Sequence, residues 1–239
     1  MHSMTQTDNH AETQAQPRSS RSTPQAQALQ MARADACRLL AACFYPPDRN
    51  LFMDENIPEK LGALLKAACP KAALLVPNLR SCIADEKSSM ALKVAHTRLF
   101  LGPPSMLAPP YASCHMSRNN AVMGPITVEI SKLYNKAGLV MDADFHDMPD
   151  HVAVMLEFLY FLLFRETVAA SIGNQEEAAF FENMRHRFLD EFMHPWIPKL
   201  SAAIREAGEH PFYTALGECV DVFIRHGFED KASELHEAV

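Results

Sequence analysis

The residues best equipped for chemistry lie between Asp142 and His151. Asp142, Asp144, His146, Asp147, Asp150 and His151 place four carboxylates and two imidazoles within ten positions. Such a set suits a divalent cation, or proton transfer between Asp150 and His151, but the spacing argues against both. A calcium loop opening at Asp142 needs Gly at its sixth position and Glu at its twelfth, where this chain has Asp147 and Ala153. No H-E-x-x-H zinc spacing is present. A di-iron bundle needs two Glu-x-x-His motifs on separate helices, and Glu191 to His194 has no counterpart. Adjacent helical residues point about 100° apart, so Asp150 and His151 need not face each other. No Ser or Cys sits in a nucleophile elbow or beside an oxyanion loop. What remains for the cluster is helix capping and solvation, with His151 bonded to a neighbouring loop carbonyl or exposed as a recognition residue at a groove edge. A metal-binding helical protein or enzyme using Asp142–His151 is the alternative class.

A second segment lies about 35 residues upstream. His96-Thr-Arg-Leu-Phe-Leu-Gly102-Pro103-Pro104 closes on Pro109-Pro110-Tyr111-Ala-Ser113. It lacks the glycine spacing of a phosphate-binding loop. Pro109-Pro110 forces an extended, stiff stretch that loses little entropy when it forms one wall of a groove. Phe100, Met106, Leu107 and Tyr111 are the candidate lining residues of that groove.

The elements that must position these segments read as helices throughout. Ala28, Leu29, Met31, Ala32, Ala36, Leu39, Leu40 and Cys43 follow three/four spacing from a start near Pro24-Gln25, and Tyr45-Pro46-Pro47-Asp48 stops the run. Helices are predicted over 58–68, 72–85 and 88–100, the last turning Met90, Val94, Leu99 and Phe100 toward a core. Residues 101–123 form a long irregular segment, which in a compact domain is usually functional; its apolar content predicts an ordered, packed loop. Pro125 suits the first turn of a helix ending near Ala137, with Gly138 at the cap. Asp147 or Met148 is expected to cap the next helix, with Pro149 at its start and Asp150 in the first turn. From Val152 that helix is apolar nearly all round, so it should be the buried central one. Helices follow at 175–192, 195–207 and 211–227. No internal repeat and no strand is evident. The fold class is all-α: a single globular domain of about nine or ten helices over 25–239, preceded by a Gln/Ser/Thr-rich leader, 1–24, expected to be disordered.

Composition narrows the partners. The chain has 239 residues, 48% of them hydrophobic, and a net charge of -7. That balance disfavours a nucleic-acid backbone or an anionic membrane as the main partner and suits a segment rich in Arg or Lys. The six cysteines form no C-x-x-C pair and mostly occupy apolar helical positions, as buried thiols of a reducing compartment do. The first 25 residues hold no apolar stretch, and the longest apolar run, Val152 to Phe164, contains Glu157 and is too short to span a bilayer. A cytoplasmic protein without stable membrane insertion is expected.

In its motifs the chain resembles the TorD/DmsD/NarJ family of redox-enzyme maturation chaperones. The matching positions are His96, Leu99, Phe100, Gly102 and Pro103; then Pro109, Pro110, Tyr111 and Ser113; then Asp147, Pro149, Asp150 and His151; then Leu156, Glu157 and Phe158. Leu133-Tyr-Asn-Lys-Ala-Gly138, Phe192-Met-His-Pro-Trp196 and Phe212-Tyr213 agree in style, and the resemblance runs over roughly 28 to 228. Asp147 stands where the family more often has Glu, and His96 where Tyr is common; both departures bear on partner choice. The resemblance implies a TorD-like, non-catalytic cytoplasmic chaperone without cofactor. Its partner would be the catalytic subunit of a molybdenum oxidoreductase, bound at the twin-arginine leader or the apoprotein body until molybdopterin is inserted, so that export is delayed. It further implies that Phe100, Gly102, Pro103, Pro109, Pro110, Tyr111, Ser113, Asp147, Pro149, Asp150, His151 and Glu157 form the client site. Asp147, Asp150 and Asp142 or Asp144 would meet the arginines, through charge-assisted bonds of about 1.5–3 kcal/mol each. The protein would be a monomer or a helix-swapped dimer, hinged at 101–123 or 139–147.

Overall fold

A computed structural model describes residues 23–48, 52, 54–81, 86–102, 105–117, 122–140 and 147–229. The chain runs through helices α1 (Pro24–Ala42), α2 (Ile57–Ala68), α3 (Val76–Ser81), α4 (Glu86–His96), α5 (Ala112–Met116), α6 (Pro125–Lys136), α7 (Val152–Ser171), α8 (Gln175–Phe188), α9 (Ile197–Ala207) and α10 (Pro211–His226), with a single turn at Pro70–Ala73. The all-α expectation holds. Most of the leader, 1–22, lies outside the described residues, as do Pro103, Asp142, Asp144 and His146.

Local chemistry starts and stops these helices. Thr23 accepts the Ala26 amide hydrogen at 3.2 Å and caps α1, with Pro24 at the first position where its missing N–H costs nothing. Asn174 caps α8 through Glu177 in the same way. Gly208 ends α9 in the left-handed conformation (φ 60°) that a side chain resists. α7 is the hub, with Val152, Ala153, Val154, Met155, Leu156, Phe158, Leu159, Leu162 and Leu163 all buried. It packs against α1 on one side and α8 on the other; α2 lies on α1, and α10 packs against α9 and α3. One contiguous buried cluster links Ala34 to Ile224. Cys37, Cys43, Cys69, Cys114 and Cys219 are buried free thiols. Among the described residues no helix is long and apolar enough to cross a membrane.

Two departures from the periodicity reading matter for the site. α4 turns Leu92, Ala95, Leu99 and Phe100 inward, whereas Met90 and Val94, expected in the core, are 64% and 52% exposed. Its last turn, Thr97–Leu101, widens into a π-helix and closes on Gly102, a local rewinding common beside functional sites. The start of α7 also differs. Pro149 and Asp150 are not in its first turn; Tyr111 and His151 pair instead as an isolated antiparallel bridge, and the helix begins at Val152.

Candidate functional site

The bridge is the keystone. Ala112 donates its amide hydrogen to the Asp150 carbonyl at 2.9 Å and Val152 donates to the Pro110 carbonyl at 2.8 Å. Pro110 has no N–H to lose, and its locked backbone presents its carbonyl to the incoming strand. These reciprocal bonds join the proline segment to the mouth of α7. The Asp150 carboxylate strengthens the join: Oδ2 accepts the Ser113 amide hydrogen at 2.9 Å, while Oδ1 has no partner and the residue is wholly buried. An aspartate in that position cannot reach an incoming cation, so the expectation that Asp150 meets arginines directly is replaced by a structural role. Ser113 is equally buried and acts through its backbone. Pro149 is held by the Tyr134 hydroxyl, which donates to its carbonyl at 2.7 Å, and the Pro109 carbonyl accepts from His115 Nε2 at 2.7 Å.

His151 caps α7. Its Nδ1 accepts the Ala153 amide hydrogen at 3.2 Å, so the ring bonds its own helix and not a loop carbonyl. An accepting Nδ1 carries no hydrogen, so the neutral ring holds its proton on Nε2. Nε2 faces Asp147 Oδ2 at 3.9 Å. Burial pushes the His151 pKa down, the Asp147 charge pulls it back up, and His96 adds to the lowering. Asp147 also receives the Tyr111 hydroxyl hydrogen at 3.3 Å. Burial first, and the Asp147 charge second, push the Tyr111 phenol up to about 12.

Around these groups lies an open cavity of about 350 Å³, lined by Phe44, Tyr45, Pro46, His96, Phe100, Leu101, Tyr111, Asp147 and His151. The rings are ordered against one another. Tyr45 stacks on His151 with centroids 6.2 Å apart, and Tyr111 meets His151 edge-on at 5.3 Å. Phe100 forms part of the inner wall, against Phe44, His96 and Tyr213. His96 Nε2 donates to the Phe44 carbonyl at 3.1 Å, and burial lowers its pKa. The result is an aromatic hollow whose described acidic wall residue is Asp147. Its chemistry suits a cation with an apolar stem, since ring faces and a carboxylate both attract positive charge.

Of the residues singled out from sequence, Phe100, Tyr111, Asp147 and His151 converge on this cavity. Gly102, Pro109, Pro110, Ser113, Pro149 and Asp150 build its frame. Met106 and Leu107 are not among its walls; Leu107 is 44% exposed on the outer side of the loop. Glu157 stands on the exposed side of α7 and accepts the Tyr45 hydroxyl hydrogen at 3.1 Å, so it orients a wall residue. Tyr45 and Pro46 were read only as a helix stop; a Tyr-Pro-Pro tripeptide at a helix end was the available signal. Asp147, Asp150 and His151 are the described members of the Asp/His cluster, and among the described residues no group of three His, Cys, Asp or Glu side chains is arranged to hold a metal ion.

The family described as "Nitrate reductase delta subunit" matches residues 56–202. The chain belongs to the TorD/DmsD/NarJ family of redox-enzyme maturation chaperones. The chaperone protein TorD of Shigella boydii is 28% identical over 206 residues, covering 80% of this chain and 96% of that protein. The perchlorate reductase assembly chaperone protein of Dechloromonas aromatica is 23% identical, covering 86% and 92%. TorD of Vibrio vulnificus strain YJ016 is 25% identical over 61% of this chain, and the match spans 66% of its own length. A crystal structure of a redox enzyme maturation protein from Archaeoglobus fulgidus superposes with a TM-score of 0.50 at 24% identity, over 81% of this chain and 93% of that one, and so shares the fold. Pro109-Pro110-Tyr111 and Pro149-Asp150-His151, the segments that carried the resemblance, are the two sides of the bridge.

Proposed function

We propose that this protein is a cytoplasmic, client-specific chaperone of a molybdopterin-dependent oxidoreductase. On this reading it holds the basic end of the client's twin-arginine leader in the Asp147 cavity until the cofactor has been inserted, and so delays export. One observation carries it: a cavity walled by Tyr45, Tyr111, Phe100 and His151, with the Asp147 carboxylate turned toward it. A guanidinium fits these demands better than an ammonium, because it is planar, stacks on rings and bonds a carboxylate with two parallel donors. The relative named as a perchlorate reductase assembly chaperone supports the same class of partner.

Calorimetric titration with a synthetic twin-arginine leader tests this. Wild type should bind, and Asp147→Asn should weaken binding by about tenfold or more, since one lost charge-assisted bond is worth about 1.5–3 kcal/mol. A leader with both arginines replaced by glutamine should lose as much. Equal affinity of both proteins for both peptides would refute the reading. Affinity capture from anaerobically grown cells should recover the catalytic subunit of a molybdenum oxidoreductase.

A further inference from the structure

We propose that His151 and a bound cation compete for the Asp147 carboxylate, so that capture of a positively charged ligand in the cavity expels a proton and acidification releases the ligand. This rests on the reading of the Asp147 cavity just given and adds its regulation.

The two oxygens of Asp147 are not equivalent. Oδ1 already accepts the Tyr111 hydroxyl and the Met148 amide, each at 3.3 Å. Oδ2 faces His151 Nε2 at 3.9 Å, too far for a hydrogen bond, and is the oxygen that ring and ligand would both use. The ring has its own asymmetry. Nδ1 accepts the Ala153 amide hydrogen at 3.2 Å, so the neutral ring keeps its hydrogen on Nε2 and a second proton can enter only at Nδ1. There it meets an N–H already aimed at the lone pair, and the cap on α7 is lost. Burial opposes the charge as well. What favours the imidazolium is Asp147, whose charge it then neutralises. A guanidinium seated on Asp147 reverses this. It takes over Oδ2 and sets a like charge beside the ring, inside a hollow of about 350 Å³ that both share. Charged ring and charged ligand therefore exclude each other. On binding, the proton leaves Nδ1 for solvent through the open side of the cavity, and the Ala153 cap is restored.

Among the described residues, the titratable groups around the ring divide by what they can do. Burial pushes the His151 pKa down; Asp147 and Asp150, on the segment before α7, draw it up, and His96 at the end of α4 adds to the lowering. Asp150 is wholly buried with Oδ2 on the Ser113 amide, so no ligand reaches it. Tyr45 at the end of α1 and Tyr111 on the proline segment keep their protons, because burial first and nearby carboxylates second push both phenols up. Glu157 of α7 reaches the ring only through the Tyr45 hydroxyl. Burial lowers the His96 pKa and raises that of Glu157, so these two are the groups the experiment must separate from His151. Above the pKa of the free His151 ring, which lies below the ordinary value of about 6.5, the ring is neutral and affinity is greatest. As pH falls through that pKa affinity falls with it, by at most about tenfold per pH unit because one proton is exchanged.

The probe is an acetylated, amidated peptide that carries Arg-Arg and no other titratable group. Calorimetry measures its affinity for the full-length protein between about pH 7.5 and 5, with circular dichroism confirming the fold at each pH. Imidazole NMR of the free protein gives the pKa of His151 and of His96, and should show the neutral His151 hydrogen on Nε2. Affinity should hold level down to the His151 pKa and be about five- to tenfold weaker one unit below it. At that pKa the binding heat should vary with the ionisation enthalpy of the buffer, corresponding to about half a proton released per peptide. His151→Asn, which keeps a capping oxygen, should bind without pH dependence over this range whatever its absolute affinity. Glu157→Gln should keep the wild-type slope. An affinity that stays level across the measured His151 pKa overturns the inference, as does a ring that remains neutral down to pH 5. So does a slope that survives in His151→Asn, disappears in Glu157→Gln, or breaks at the His96 pKa. If Asp147→Asn loses binding while wild type is level with pH, the cavity reading stands without its proton switch. If wild type and Asp147→Asn bind the peptide equally at pH 7.5, the cavity reading itself falls, and this inference with it.

Discussion

Replacing Asp150 by alanine should destabilise the protein far more than its position in a recognition motif suggests. The side chain is fully buried, and its Oδ2 satisfies the Ser113 amide, which is itself buried. Removing the acceptor forfeits a hydrogen bond to a charged group, about 1.5–3 kcal/mol. It also removes a negative charge two residues before the first turn of α7, adding about 0.5–1 kcal/mol from the helix dipole. Against this, the unpartnered Oδ1 is a buried polar atom whose removal is favourable. The two losses sum to about 2–4 kcal/mol, which the Oδ1 contribution reduces, so the net lies below that ceiling and the fall in melting temperature is at most roughly 4–16 °C for a chain of this size. Asp150→Asn retains the accepting oxygen and should recover most of the loss. Urea denaturation of the three proteins, followed by circular dichroism, gives the values. If Asp150→Ala unfolds at the wild-type midpoint, or if Asp150→Asn is as damaged as the alanine variant, the argument that this carboxylate pins the proline segment to α7 is wrong.

Two further outcomes follow from the same geometry. Gly102 closes the π turn at φ 80°, and an added Cβ would lie 3.3 Å from the Ser105 backbone; Gly102→Ala should cost about 1–3 kcal/mol, read as a lower urea midpoint. His96, His115, His151 and His210 all have pKa values lowered by burial. For such groups the unfolded chain binds more protons, so stability is complete above the ordinary histidine pKa of about 6.5 and falls as pH drops below it. Denaturation midpoints should hold level from about pH 8 to 7 and decline toward 5.5. His151→Asn keeps a competent cap without a titrating group and should make that decline shallower.

Legibility from sequence depended on whether a signal was local. The hub α7 could be read from its apolar run, and α1 and α6 from spacing and flanking prolines, because helix propensity and punctuation act over a few residues. Met90 and Val94 were misassigned because periodicity identifies an apolar face without saying what covers it. Leu92, Ala95 and Leu99 offered an equally regular face, and only tertiary packing chose between them. The start of α7 was displaced because Pro149 and Asp150 carry good helix-start chemistry, yet the long-range pairing of Tyr111 with His151 holds them out of the helix. For the same reason the Tyr-Pro-Pro tripeptide at Tyr45 reads from sequence only as a helix stop: the end of α1 meets α7 only in the folded chain. Motif order found Phe100, Tyr111, Asp147 and His151, but it did not separate the side chains that face the cavity from those, such as Asp150 and Ser113, that hold its frame.

The bridge between Tyr111 and His151 has a thermodynamic consequence. It fastens the hollow to α7, whose Val152, Ala153, Met155 and Leu156 are wholly buried, so its stiff side arrives already shaped. A ligand seated there would freeze little of the receptor, and the entropy lost on association would fall almost wholly on the incoming chain. Selectivity would then reside in how readily each candidate sequence adopts the required shape beforehand, and not in how far the receptor bends to meet it.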